Sequence, residues 1–296
     1  MVVLRSPLSN RIDMIKNDPL YAGHADLSPR VGFFKGGNDG DRLILKDSSA
    51  SDETPPGAVL RIIGQISRSK HYLRPKGTYN GGDVKNARLR FNLLPPKGRG
   101  LDKLLSPVEF DTFIENLKTI HNDNAEGVEQ PGKEIHLPFD VKEGVTVFHQ
   151  LIIPREDESD DGDDIKDEDG NVQLCSIANS RDPATVVSTE SASGPFSLEG
   201  WPVESDGDWR KKMNSSKDTH VIYPMQAFTY EGKLIHPLEY MKKLPDAVVD
   251  LSFSLVHYDF DKSSRVCLYM TELHVIVPPE PLPGYPRSTK RGLVRK

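Results

Sequence analysis

The amino-acid sequence predicts a mainly β fold, a small barrel or sandwich of bent strands carrying one or two helices. Three observations lead there: two hairpin-forming pairs of alternating segments, a break in alternation shared by both strands of the second pair, and one well-marked helix between the pairs.

The first pair is PGAVLRIIGQI (56–66) with NARLRFNLLPP (86–96). In the second of these, Ala87, Leu89, Phe91 and Leu93 alternate with Arg88, Arg90 and Asn92, so the core pattern itself turns two guanidiniums outward. The connection, SRSKHYLRPKGTYNGGDVK, is long, basic and marked by turn residues. Next, SPVEFDTFIENLKTIH (106–121) predicts a helix. Ser106 caps it, Pro107 suits its first turn, and Glu109 completes a capping box. Phe110, Phe113, Ile114 and Leu117 line one face, each worth about 1.5–3 kcal/mol when buried. A strand candidate, HLPFDVKEGVTVFHQLIIP (136–154), and NVQLCSIAN (171–179) flank an acidic run and predict a hairpin with a solvated tip. Residues 180–200 read as a linker or surface loop, and HPLEYMKKL (236–244) as a short second helix.

The last pair lies in PDAVVDLSFSLVHYDFDKSSRVCLYMTELHVIVPP (245–279). Apolar residues run Val249, Leu251, Phe253, Leu255 and then slip phase to Val256, Tyr258, Phe260. The returning strand slips too, from Val266, Leu268, Met270 to Leu273, Val275, Val277. A five-residue loop, Asp261–Arg265, sets Tyr258 opposite Leu268 and Phe253 opposite Leu273 without a register change. A slip shared by both strands fits a hairpin whose two halves present opposite faces to a core, as at the corner of a small barrel. The other possibility is burial on both faces of a large sheet.

With 36% apolar and 28% charged residues in 296, the composition is that of an ordinary folded protein. Three parts are expected: residues 1–125 with the basic hairpin and helix 106–121, residues 126–280 with the acidic run and bent hairpin, and a basic tail, 281–296. One composite domain is the alternative. The opening MVVLRSPLSNRIDM has too short an apolar run for a signal peptide, and no stretch approaches a membrane span, so an intracellular setting is expected. Cys175 and Cys267 lack metal or redox spacing and read as free buried thiols.

The net charge of −6 is unevenly distributed. Residues 155–170, REDESDDGDDIKDEDG, carry ten acids and two bases, a net −8. Residues 61–103 carry eleven bases and two acids, a net +9, and the last thirteen residues add five bases.

No nucleophile elbow, phosphate loop, dinucleotide fingerprint or zincin motif is present, and the nine histidines are scattered singly. No catalytic residues, metal ligands or cofactor are therefore expected; histidines and carboxylates converging in a folded pocket would reopen the question. Counted from Asp157, the acidic run nearly matches a calcium loop, but Asp164 stands where an apolar residue belongs and its flanks read as strands.

The basic segment interleaves cations with aromatics. Cations track a phosphate backbone, and exposed rings stack bases at about 1–3 kcal/mol each. The expected surface is Arg68, Lys70, Tyr72, Arg74, Lys76, Tyr79, Arg88 and Arg90, and the expected partner is single-stranded DNA or RNA. A small bent-strand barrel resembles the OB fold in architecture, a resemblance that implies single-strand binding across strands and loops. In this reading the −8 run is an internal phosphate mimic that competes for the +9 surface. The rival reading is a structural or interaction protein, a β-sandwich assembly or capsid-like subunit, self-associating through PPEPLPGYP (278–286) and the tail.

Overall fold

The computed structural model describes residues 6–36, 40–48, 55–98, 101, 104–125, 134–140, 144–155, 200–203, 207–260 and 263–280. The acidic run beyond Arg155, the segment around Cys175, the linker before Gly200 and the tail 281–296 lie outside them. In chain order the elements are α1 (Pro7–Lys16), β1 (Val31–Phe34), β2 (Asp41–Leu45), β3 (Leu60–Tyr72), β4 (Arg88–Leu94), α2 (Pro107–Ala125), β5 (Glu134–His136), β6 (Phe139–Asp140), β7 (Gly144–Gln150), β8 (Ile152–Pro154), α3 (Gly207–Ser215), β9 (His220–Ile222), β10 (Ala227–Phe228), α4 (Tyr240–Lys243), β11 (Val248–Asp259) and β12 (Ser263–Val277). Strands dominate, as the alternation requires, with α1 and α3 added to the two helices expected.

Five strands close on themselves. The order β11–β3–β4–β7–β12 is hydrogen-bonded throughout, and β12 pairs back onto β11. Only β7 and β12 run parallel within this ring. Closure leaves the ring without free edges, while β2 and β1 continue the sheet beyond β11 and β10 pairs with β12. Inward-facing Leu60, Ile62, Leu89, Phe91, Leu93, Val147, Leu251, Phe253, Leu255 and Leu268 build the core. At Gly64 on β3 an added Cβ would lie 2.4 Å from Leu93 Cγ, so glycine is what lets β4's side chain fill the ring.

Helix α2 lies against this core through Phe110, Phe113 and Leu117, with the Phe113 and Phe253 rings 5.7 Å apart. Ser106 caps it, its Oγ accepting from the Val108 amide at 3.3 Å. The capping box does not form. The Glu109 carboxylate instead accepts from Lys16 Nζ at 2.5 Å and Tyr21 O–H at 3.2 Å, tying α1 to α2 because an ammonium outcompetes a backbone amide for it.

The last hairpin departs from the expected register. Tyr258 pairs with Arg265 and Phe253 with Met270, and the turn is short, with the Phe260 amide donating to Ser263 O. A shift between Ser252 and Phe253 leaves Thr271 as an extra residue on β12, so Met270 and Leu273 both face the core. A bulge, not a change of face, therefore explains the slip on β12. On β11 the slip is a real change of face: Leu255 stays in the core while Val256 and Tyr258 join Cys267 and Tyr269 in a separate cluster on the outer side. That part of the hairpin is buried on both faces. The acidic run's expected strand partner lies outside the described residues; β8 pairs with β9.

Across β3 and β11, Arg61 donates to Asp250 Oδ2 at 2.6 Å and to Asp18 Oδ2 at 3.0 Å. The Asp250 side chain is only 5% exposed, so this pair sits within the sheet's packing.

Candidate nucleic-acid interface

The outer face of the barrel carries the arginines that alternation turns away from Leu89 and Phe91. Register places Tyr72 beside Arg90, Arg90 beside Phe148, and Phe148 beside Tyr269, a continuous line across β3, β4, β7 and β12. The Arg90 guanidinium lies 4.6 Å from the Tyr72 ring centroid, and Tyr72 remains 47% exposed. Phe148 and Tyr269 meet at 6.1 Å. Tyr258 and Arg265 pair on the same face, and Phe260 stacks on Tyr258 at 6.3 Å. None of Arg74, Arg88, Arg90 and Arg265 makes an ion pair among the described residues.

The loop between β3 and β4 is shaped by a turn at Arg74–Gly77, closed by the Gly77 amide on Arg74 O at 2.7 Å. Gly77 has φ +56°, and a Cβ there would meet Arg88 O at 2.3 Å. Thr78 then clasps β4, its amide donating to Arg88 O and its Oγ1 accepting from the Arg88 amide. Beneath the loop, Trp201 Nε1 donates to Pro75 O at 2.8 Å and Lys212 Nζ to Gly81 O at 2.6 Å. Trp201, Trp209, Met213, Val84 and Ile152 form a second core that props the loop from below.

The structure sorts the eight expected residues. Tyr72, Arg74, Arg88 and Arg90 come together at the end of β3 and the start of β4, with Lys76 half-buried in the turn between them. Lys70 is exposed on β3, which runs six residues further than the hairpin pattern indicated, through Tyr72. Arg68 is committed elsewhere, donating to Asp246 Oδ2 at 2.6 Å with Glu280 at 3.9 Å, so its charge is already met. Asp246 is held for this role by a left-handed turn, φ 71°, and also accepts from Gln65. Tyr79 is not a stacking surface. It is 8% exposed in the second core, and its hydroxyl donates to Asp208 at 2.5 Å. Four aromatics of the face, Phe148, Tyr258, Phe260 and Tyr269, are not among the eight; the phase slip at Val256 signals Tyr258 and Phe260, which the bent-hairpin reading assigns to a core face, and nothing in the alternation signals Phe148 or Tyr269.

The sequence matches no protein-family model and no curated protein. Similar solved structures include the following three. Single-stranded DNA-binding protein gp2.5 of bacteriophage T7 is 10% identical, covers 77% of this chain and 96% of its own, and has a TM-score of 0.38. The single-stranded DNA-binding protein of bacteriophage Enc34 in complex with ssDNA is 11% identical, with 86% and 98% covered and a TM-score of 0.33; a C-terminal truncation of the same protein is 13% identical at 0.30. Likenesses with TM-scores this low say nothing about function.

A second polar cluster sits where β2 meets the hairpin. His257 is bonded through Nδ1 to Asp41 Oδ2 at 3.0 Å and through Nε2 to Ser264 Oγ at 2.7 Å. This is the order of a hydrolase relay, yet Ser264 and His257 are both buried, and Asp41 and His257 are register partners across β2 and β11. The arrangement fastens the β1–β2 hairpin to the barrel. His121 of α2 packs on His257 at 5.7 Å, is 1% exposed, and has no hydrogen-bond partner at either ring nitrogen.

Burial, helped by the neighbouring His257, holds the His121 pKa below its ordinary value of 6.5, and burial does the same to His220. The unfolded chain therefore takes up protons near pH 6.5 that the folded one refuses. Stability is full above that pH, falls as pH drops through it, and levels off below the lowered folded values. Denaturant melts across pH 7.5 to 5.5 are expected to show this loss, and His121→Leu to flatten part of the fall, leaving the share of His220.

Proposed function

We propose that this protein binds single-stranded nucleic acid, without catalysis, across the outer face of its barrel. One observation carries the reading: Arg90 stacked over a half-exposed Tyr72 at the head of the Tyr72–Arg90–Phe148–Tyr269 line, among arginines with no carboxylate partner among the described residues. Tyr72 offers a π-face to a base, Arg90 reinforces it as a cation, and Arg74, Arg88 and Arg265 offer charge to the adjoining phosphates. A strand of bases lying along such a line is bound with little sequence-reading by the phosphate contacts. Lys70 and Lys76 extend the surface along the loop, and Arg68 and Tyr79 are left out of it.

The test compares two tyrosines that the sequence alone ranks alike. Tyr72→Ala is expected to weaken binding of a labelled single strand by about 1–3 kcal/mol, with the salt slope nearly unchanged. Tyr79→Ala is expected to leave affinity intact and lower the melting temperature, since it empties part of the second core. Fluorescence anisotropy over a salt series and a thermal melt read both. Equal losses of affinity in the two variants would overturn the placement.

A further inference from the structure

Three buried donors on the outer face have no hydrogen-bond partner among the described residues. The hydroxyls of Tyr258 and Tyr269, residues 4% and 3% exposed, and the Arg88 Nε all lie out of contact with solvent without a hydrogen bond. They adjoin one another. Tyr258 and Tyr269 share the outer cluster, neither hydroxyl reaches hydrogen-bonding geometry, and Arg88 lies close enough to act electrostatically on both. Burial pushes the Tyr269 hydroxyl up to about 12 and that of Tyr258 higher still, so both keep their protons and stay donors. Phe148 stands against Tyr269 and Phe260 against Tyr258, the latter pair nearly parallel at 18°. Buried donors normally find acceptors, and a cluster of three without one is an unmet demand.

We propose that displacement of Phe260 opens an aromatic-walled pocket here for one base of the bound strand, a thymine or uracil, whose carbonyl oxygens accept from Arg88 Nε and the two tyrosine hydroxyls. The inference rests on the single-strand reading above. A base entering here takes the place of Phe260, whose ring already lies stacked on Tyr258 as a base would. A backbone phosphodiester fits less well, because Val256 and Phe148 border the donors with apolar surface and the anion would lose its hydration. Thymine presents carbonyl oxygens, each with two lone pairs projecting beyond the ring. Adenine presents ring nitrogens and an amine whose hydrogens oppose the donors.

The experiment measures anisotropy with labelled oligo(dT), oligo(dA) and an abasic strand of equal length, on the wild-type chain and on the Y258F/Y269F double variant. Both rings are kept, so only the hydroxyls are lost. The wild type is expected to prefer oligo(dT), and the variant to lose about tenfold in oligo(dT) affinity. Its losses for oligo(dA) and the abasic strand are expected to be far smaller than for oligo(dT), and its salt slope to hold, since no charge is removed. Because the deleted hydroxyls have no partner in the free protein, the variant is expected to melt at or above the wild-type temperature. Equal wild-type affinity for dT and dA, a loss shared by all three strands, no loss at all, or a variant that melts lower would each overturn the pocket while leaving single-strand binding in place. Failure of the wild type to bind any strand at low salt would instead overturn the function proposed above, and the pocket with it.

Discussion

Changing Arg74 and Arg90 together to Gln is expected to cut affinity for a short single strand about tenfold per arginine at low salt, on the order of 1.4 kcal/mol each. The salt slope should fall by about 1.4, since each phosphate contact on a single strand contributes roughly 0.7. Neither guanidinium has a carboxylate partner among the described residues, which leaves its charge available to a polyanion. Arg68→Gln is the internal control. It removes the same single charge as either of those changes, from the same segment, but Arg68 is already held by Asp246, and a slope change near zero is expected. If all three arginines behaved alike, the interface would be a diffuse cationic field and not a placed surface. For Arg90 the loss should exceed that of Arg74, because its cation–π seat on Tyr72 goes as well.

The largest effect on stability is expected from Arg61→Met. Asp250 has its ion-pair partner in Arg61 alone among the described residues and is nearly enclosed by β3 and β11. Removing the guanidinium leaves a buried carboxylate unmet, which costs about 3–5 kcal/mol. Asp250→Leu in the same chain should restore much of that, because the desolvated charge is then gone too, and the apolar side chain packs among its neighbours. Denaturant unfolding of the two single variants and the double one gives the coupling directly. A cost below about 1 kcal/mol for Arg61→Met would mean that Asp250 is hydrated in solution. The pair also matters to the interface, since β3 carries Tyr72 at its far end and depends on β11 for its place in the ring.

Much of the barrel was legible because alternation is a local signal. Leu89 and Phe91 inside imply Arg88 and Arg90 outside, and no tertiary information is needed for that step. Helix α2 was equally plain, its cap and apolar face both written within one segment. What escaped depended on distant residues. The Glu109 carboxylate could not be assigned until Lys16 was known to lie beside it. Tyr72 and Tyr79 look the same in a basic loop, and only the packing of Trp201, Trp209 and Asp208 beneath the loop separates the exposed ring from the buried one. Arg68 looked available until the turn at Asp246 was in place.

The phase slip in the last hairpin shows a different limit. Two causes, a bulge at Thr271 and a second buried face on β11, produce the same break in alternation, and pattern alone treats them as one event. The histidines illustrate the same point. His257 and His121 are far apart in the chain, and their meeting with Asp41 and Ser264 follows from register and helix placement that no spacing encodes.

Ultraviolet cross-linking of a thymidine-rich single strand to the 296-residue chain, with the attached peptides mapped by mass spectrometry, tests the central claim most directly. Binding across the barrel's outer face predicts adducts at Tyr72 on β3 and Phe148 on β7, suppressed together by high salt, and none at Trp201 or Trp209. Adducts confined to the tail 281–296 or to the Trp201 side, or no adducts under conditions where the strand is bound, would contradict it.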